Sequence, residues 1–226
     1  MMSAINVFIE FGKKKVFTGA VDWRGWCRSG RDEKMALRAL LDYGPRYAQV
    51  LHRKGIDFQI PTHESDLRAA ERHEGNAGTD FGAPAIILDA DREPMDPKEY
   101  ERLQTILLAC WQAFDTAMGR AAGRELRKGP RGGGRDVNKI VDHVLGADQA
   151  YLARLAWKHK RDSANDAVEE LHRTRQAVIS ALEAAVKGAL PAQGKRGGIL
   201  WPPRYFIRRV AWHVLDHAWE IEDRMV

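Results

Sequence analysis

The sequence predicts an α+β protein in two parts. A small α/β domain of ββαβ(β) order over residues 1–90 precedes an all-α four-helix bundle over residues 97–226. Three observations predict this. Near the N-terminus, apolar residues alternate on either side of a polar turn, as in a hairpin. After Pro97 the apolar spacing switches to threes and fours, sustained through four stretches. Between the two patterns lies Asp89 to Pro97, an acidic, proline-containing segment with the composition of a linker.

In the first part, Ile5 to Glu10 alternates, with Val7 and Ile9 on one side. Gly12-Lys13-Lys14 supplies a turn, and Val16 to Val21 reads as the second strand of the hairpin. Ser29 to Asp32 resembles a capping box with Asp in place of Glu. Behind it, Leu37, Leu40, Leu41, Tyr47 and Leu51 keep helical spacing. Ile56 to Ile60 and Ala83 to Leu88 read as two further strands. Thr62 to Gly82 is polar and has no clear period, so a loop or short irregular element is expected there.

Asp96 and Pro97 form a helix start, N-cap followed by proline at the first helical position. Helix one, to about Arg120, carries Leu103, Leu107, Cys110, Phe114, Ala117 and Ala121 on one stripe. The glycine-rich stretch Gly129 to Gly134 breaks it. Asp136 caps helix two, with Val137, Ile140, Val144, Tyr151 and Leu155. Helix three spans about Asp166 to Ala189, with Leu171, Val178, Leu182 and Ala185. Helix four starts at Pro202-Pro203 and packs through Ile207, Ala211, Val214, Ala218 and Ile221.

Helix four has a second seam, about 110° around from the first. Phe206, Val210, His213, His217, Glu220 and Arg224 follow at alternating spacings of four and three. Four consecutive members are titratable, and such groups do not enter a core without partners. His213 and His217 lie four apart, so both imidazoles leave one face and can grip one ion. The competing reading is a pair of partly buried histidines bonded to Glu220 or Asp216. The seam is expected to flank the packed stripe and face a groove. Glu220, one turn beyond His217, suits a fourth ligand, a partner that orients the imidazole, or a general base; a salt bridge to Arg224 is the alternative.

Composition narrows the function classes. Hydrophobic residues at 44% and charged residues at 30% indicate a globular chain. No apolar run approaches a membrane span, and no signal peptide is evident. Cys27 and Cys110 are the only cysteines, too few for a disulfide scaffold, so a reducing cytoplasm is expected. Both thiols read as inert. The net charge of +5 concentrates between Arg120 and Arg135, without aromatic–basic interleaving or a recognition helix, so nucleic acid is not the expected partner. The glycines before Asp136 fail the P-loop pattern, yet a basic loop entering a helix N-terminus favours an anion. Arg131 and Arg135 are therefore candidates to hold a substrate carboxylate, against the plainer reading of a connector. Asp142 and Asp148 are expected on the solvated surface, as are His52, His63, His73, His159 and His172. Trp23, Trp26, Trp212 and Trp219 are expected to meet where the two parts touch, or to form a dimer interface.

Helix two contains His143 within Val141-Asp142-His143-Val144-Leu145, and helix four contains His213 and His217. One His in the second helix and a His-x-x-x-His pair in the fourth resembles the DinB-like superfamily of metal-binding four-helix bundles, over about residues 97 to 226. The resemblance implies a divalent metal, commonly zinc or nickel, held in an open site by His143, His213 and His217. It also implies a thiol-dependent transferase or isomerase using a low-molecular-weight thiol such as mycothiol, bacillithiol or glutathione. A metal-dependent hydrolase, or a non-catalytic metal-binding or interaction protein with a basic surface, is the alternative. The expected partners are a small-molecule substrate and a second copy of the chain in a homodimer. The first ninety residues are similar to the small HicB-like fold, a likeness that carries no function.

Overall fold

The computed structural model describes residues 4–128, 134–162, 164, 166–191, 193–194 and 198–226. Strands β1 (Ile5–Phe11) and β2 (Val16–Ala20) form the expected antiparallel hairpin, with Val7 opposite Ala20 and Phe11 opposite Val16. A short β3 (Cys27–Gly30) adds antiparallel to β2. Helices α1 (Glu33–Asp42) and α2 (Gly44–His52) follow. Their boundary precedes Pro45, which lacks the N–H a continuous helix needs. Strand β4 (Leu67–Glu74) then pairs parallel with β1, and the sheet order is β3-β2-β1-β4.

The sheet corrects three expectations. Leu67 to Glu74, expected as a loop, is a strand. It is an edge strand with no fully buried residue, so its sequence carries no apolar alternation. Ile56 to Ile60 is not a strand; Phe58 alone in it is buried, edge-on to Trp26 and Tyr47. Ala83 to Leu88 joins no ladder, and side chains take its backbone groups. Glu10, fully buried, accepts from the N–H of Ala85 (2.9 Å) and Ile86 (3.3 Å). The carbonyls of Pro84, Ala85 and Ile86 accept from Arg209 (2.7 Å), Tyr205 (3.1 Å) and Arg208 (2.6 Å). The helix cap before α1 is Asp32 itself, which accepts from Met35 N at 2.8 Å; Ser29 belongs to β3.

After the short helices α3 (Ala77–Phe81) and α4 (Asp89–Arg92) come the four long ones. These are α5 (Pro97–Ala121), α6 (Val137–Leu152), α7 (Ala167–Val186) and α8 (Pro203–Arg224). Asp96, Asp136 and Asp166 cap the first three, each accepting backbone N–H bonds at 2.8 or 2.9 Å. Around the bundle α5 packs on α8, α8 on α6, α6 on α7, and α7 returns to α5. The result is α+β, a sheet followed by a helical bundle. No helix among the described residues is long and apolar enough to cross a membrane.

The segment read as a linker is locked into the fold. Asp89 to Arg92 is helical, and fully buried Asp91 pairs with Arg24 (3.0 Å) and with Arg208 Nε (3.1 Å) of α8. One sheet face, through Ile9 and Val16, meets Ala36 of α1, while the other, through Phe8 and Phe17, meets Trp212 of α8. The loop before β3 lies close on α8. A Cβ on Gly25, whose φ is +94°, would stand 3.0 Å from Leu215 Cδ1 and 3.3 Å from the Ala211 backbone. The tryptophans expected at this contact divide: Trp212 meets Phe17 and Trp219 meets Tyr43, but Trp23 and Trp26 pack on Phe58. Both cysteines are buried, which pushes their thiols far up and leaves them inert.

Candidate metal centre

Helix α8 carries the pair and α6 the third histidine, and these helices are neighbours in the bundle. His213 and His217 are each 6% exposed, while His143 is exposed. The seam therefore does not flank an open groove as expected. The packed stripe is buried, and so is the histidine seam from Phe206 to His217, with Glu220 and Arg224 half-buried beyond it, since α5, α6 and parts of the N-terminal half pack on α8. Access to the histidines comes past α6, where His143 meets solvent.

The three imidazoles meet through the same nitrogen. Nε2 of His213 lies 3.1 Å from Nε2 of His143 and 3.2 Å from Nε2 of His217. The rings are edge-on or tilted to one another, with centroids 4.6 to 5.1 Å apart. Behind His217, Nδ1–H donates to Glu220 Oε2 at 2.8 Å. A carboxylate only accepts, so this bond puts the neutral ring's proton on Nδ1 and its lone pair on Nε2. Burial pushes the His213 imidazole well below its usual 6.5, and burial with Arg135 nearby lowers His143, so both rings are neutral at pH 7.

These residues fit a divalent cation. One hydrogen on His213 Nε2 can serve one of its two Nε2 contacts, not both. A metal about 2.1 Å from each nitrogen needs nitrogens about 3.0 to 3.4 Å apart, which the two short contacts match. The three histidines form a group whose ligand atoms all lie within 4.8 Å of one another. His213 Nδ1 is buried without a partner among the described residues, and the ring packs against Trp212 and Tyr151. A family model of the DinB superfamily matches residues 106–221, just over half of the chain. The chain belongs to the DinB superfamily. DinB-superfamily proteins are generally metal-binding, and the match contains all three histidines. Comparison with curated proteins and with solved structures finds no match. The HicB-like resemblance of the first ninety residues is not confirmed.

The other candidate residues of this DinB-superfamily chain fall as follows. Glu220 sits behind His217, on the nitrogen facing away from the triad, and also accepts from Arg224 Nη1 at 2.7 Å. The His217 bond, with Arg135 and Arg224 nearby, holds its carboxyl below the usual range. Arg135 is half-buried, with Nη2 3.7 Å from Glu220 Oε2. Arg131 lies outside the described residues. Asp216 turns away to Arg28 (2.9 Å), and Asp142 is exposed as expected. Asp148 is a correction. It lies fully buried in the bundle core, on the stripe of Val144 and Leu152, rather than on the surface. His52, His63 and His172 are exposed, whereas His73 and His159 are half-buried on Glu71 (2.7 Å) and Glu170 (3.0 Å). Sequence reasoning missed Arg209, which lies one turn before His213; that i−4 spacing was the available signal.

Proposed function

We propose that the protein is a divalent-metal-dependent transferase or isomerase acting with a low-molecular-weight thiol, and that His143, His213 and His217 are its metal ligands. One observation carries this reading: three imidazoles, two of them on one helix face, bring their ligand nitrogens within 4.8 Å of one another, with His213 Nε2 at 3.1 and 3.2 Å from the other two. Three protein ligands leave a divalent ion open to a further one, as catalytic rather than closed structural sites require. The ion supplies Lewis acidity, which makes a thiol a nucleophile near neutral pH. Zinc and nickel are the preferred occupants, since neutral imidazole suits both.

The chain's own residues do the rest. Glu220 fixes the His217 tautomer, and Arg224 holds Glu220 in place. Buried His213 keeps water from the inner wall, and exposed His143 marks the side from which substrate enters. The test is metal analysis of the native protein beside His213→Ala and His217→Ala, followed by an activity screen of thiols against electrophiles. Near-stoichiometric metal in the native protein alone, with thiol-dependent turnover lost in His217→Ala, supports the reading. A native protein that takes up no metal overturns it.

A further inference from the structure

Arg209 stands one turn before His213 on α8, and its guanidinium lies against the aromatic walls of the triad. Its Cζ lies 5.0 Å from the Trp212 ring centroid and 5.5 Å from that of Tyr151. Those same rings flank His213, at 6.0 and 5.8 Å between centroids. Nη1 donates to the Pro84 carbonyl at 2.7 Å, which fixes the side chain from the sheet side. Nε is buried without a partner, and Nη2 has no protein partner among the described residues. No carboxylate pairs with Arg209 among them either.

The other cations near the triad are committed. Arg224 gives Nη1 to Glu220, Nη2 to the Arg135 carbonyl and Nε to the Arg127 carbonyl. Arg135 faces Glu220. Arg209 is thus a fixed charge with a free face, beside rings of Tyr151 and Trp201 that are themselves partly exposed and tilted to one another with centroids 5.2 Å apart. A rigid, unneutralised guanidinium in a partly desolvated aromatic wall recognises an anion, and a planar carboxylate suits its fork.

Resting on the metal-and-thiol reading above, we infer that this site takes a thiol bearing a carboxylate, and that Arg209 is the residue that selects it. The carboxylate lies on the free face of Arg209 while the sulfur reaches the space among the three Nε2 atoms. Arg209 and His213 lie one helical turn apart on the same face of α8 and share the Trp212 and Tyr151 rings, so one small molecule can span both.

The test loads the full-length protein with cobalt(II) and follows the thiolate charge-transfer absorption, a binding readout independent of turnover. The probes are 3-mercaptopropionate and the uncharged 2-mercaptoethanol. The wild type binds the carboxylate thiol about tenfold or more tighter. Arg209→Gln loses that preference while its affinity for 2-mercaptoethanol and its cobalt stoichiometry are unchanged, which also shows the variant is folded. Arg209→Lys keeps part of the preference. Equal affinities in the wild type, or a preference that survives in Arg209→Gln, overturns the assignment of Arg209 and leaves the metal reading standing. Cobalt uptake without a thiolate band from either probe overturns the thiol reading and this inference with it.

Discussion

Asp148 makes the folded protein lose stability as pH rises, the reverse of an ordinary paired carboxylate. Its side chain is fully buried, and neither carboxylate oxygen has a hydrogen-bond partner among the described residues. The nearest compensating charge is Arg175 of α7, whose Nη1 is already spent on Asp115 at 2.7 and 2.9 Å. Burial pushes the Asp148 carboxyl from 3.8 to about 7, against the pull of Arg175. Between these values the folded state holds a proton that the unfolded state has released. Stability therefore falls by about 1.4 kcal/mol per pH unit across that window. The full interval is worth about 4 kcal/mol, and the span from pH 5 to pH 8 about 2 to 3 kcal/mol, an upper figure because relaxation around the charge reduces it. Asp148→Asn removes the titration. Urea denaturation of both proteins at pH 5, 6, 7 and 8 isolates this group, because every other titration cancels in the difference. The asparagine variant gains on the wild type as pH rises and levels off above pH 7. Parallel stability curves for the two proteins would refute the argument.

Three further outcomes are expected. Glu220→Ala frees the His217 ring and weakens metal binding by about 10- to 100-fold in a chelator competition, whereas His217→Ala abolishes stoichiometric binding. Asp91→Ala removes the buried carboxylate that pairs with Arg24 and Arg208 and costs about 3 to 5 kcal/mol in urea denaturation; a loss below about 1 kcal/mol would show that this Arg–Asp–Arg cluster is not desolvated. Gly25→Ala is strained at φ +94° and presses on the Ala211 backbone, so its melting temperature falls further than that of Gly55→Ala, which shares the backbone strain at φ +67° but whose Cβ meets nothing within 4 Å.

The bundle was legible because its stripes are long and its caps are chemical. Asp96, Asp136 and Asp166 start their helices as the sequence indicates. The His213–His217 pair was legible for the same reason, as two ligands at helical spacing. Less of the sheet could be read. β4 is an exposed edge whose only partner is β1, so its pattern is that of a loop. Ala83 to Leu88 has a strand's apolar character, but Glu10, Tyr205, Arg208 and Arg209 supply the bonds that a neighbouring strand would. Asp148 was misplaced because an aspartate on a core stripe reads as a surface residue unless its burial is seen. Arg209 was passed over because its role depends on Tyr151 of another helix and on Pro84 of the first half, neither of which is adjacent in sequence.

Those long-range bonds also explain why the first half belongs in any account of the site. Along the histidine-bearing stretch of α8, residues beside the triad are held from the N-terminal side. Arg208 is held by Asp91 and the Ile86 carbonyl, Arg209 by the Pro84 carbonyl, Trp212 by Phe17, Asp216 by Arg28 and Trp219 by Tyr43. A helix rotates as a unit, so fixing these positions fixes the direction in which His213 and His217 leave it. His143 comes from α6, which packs on α7 and α8. The convergence of the three nitrogens thus depends on α8, held from the sheet, and on α6, held within the bundle, and a fault in either support opens the triad. A change at the sheet contact, such as Phe17→Ala, should weaken metal binding without touching a ligand, whereas an equally destabilising change on the opposite sheet face, at Ile9 or Val16 against α1, should not.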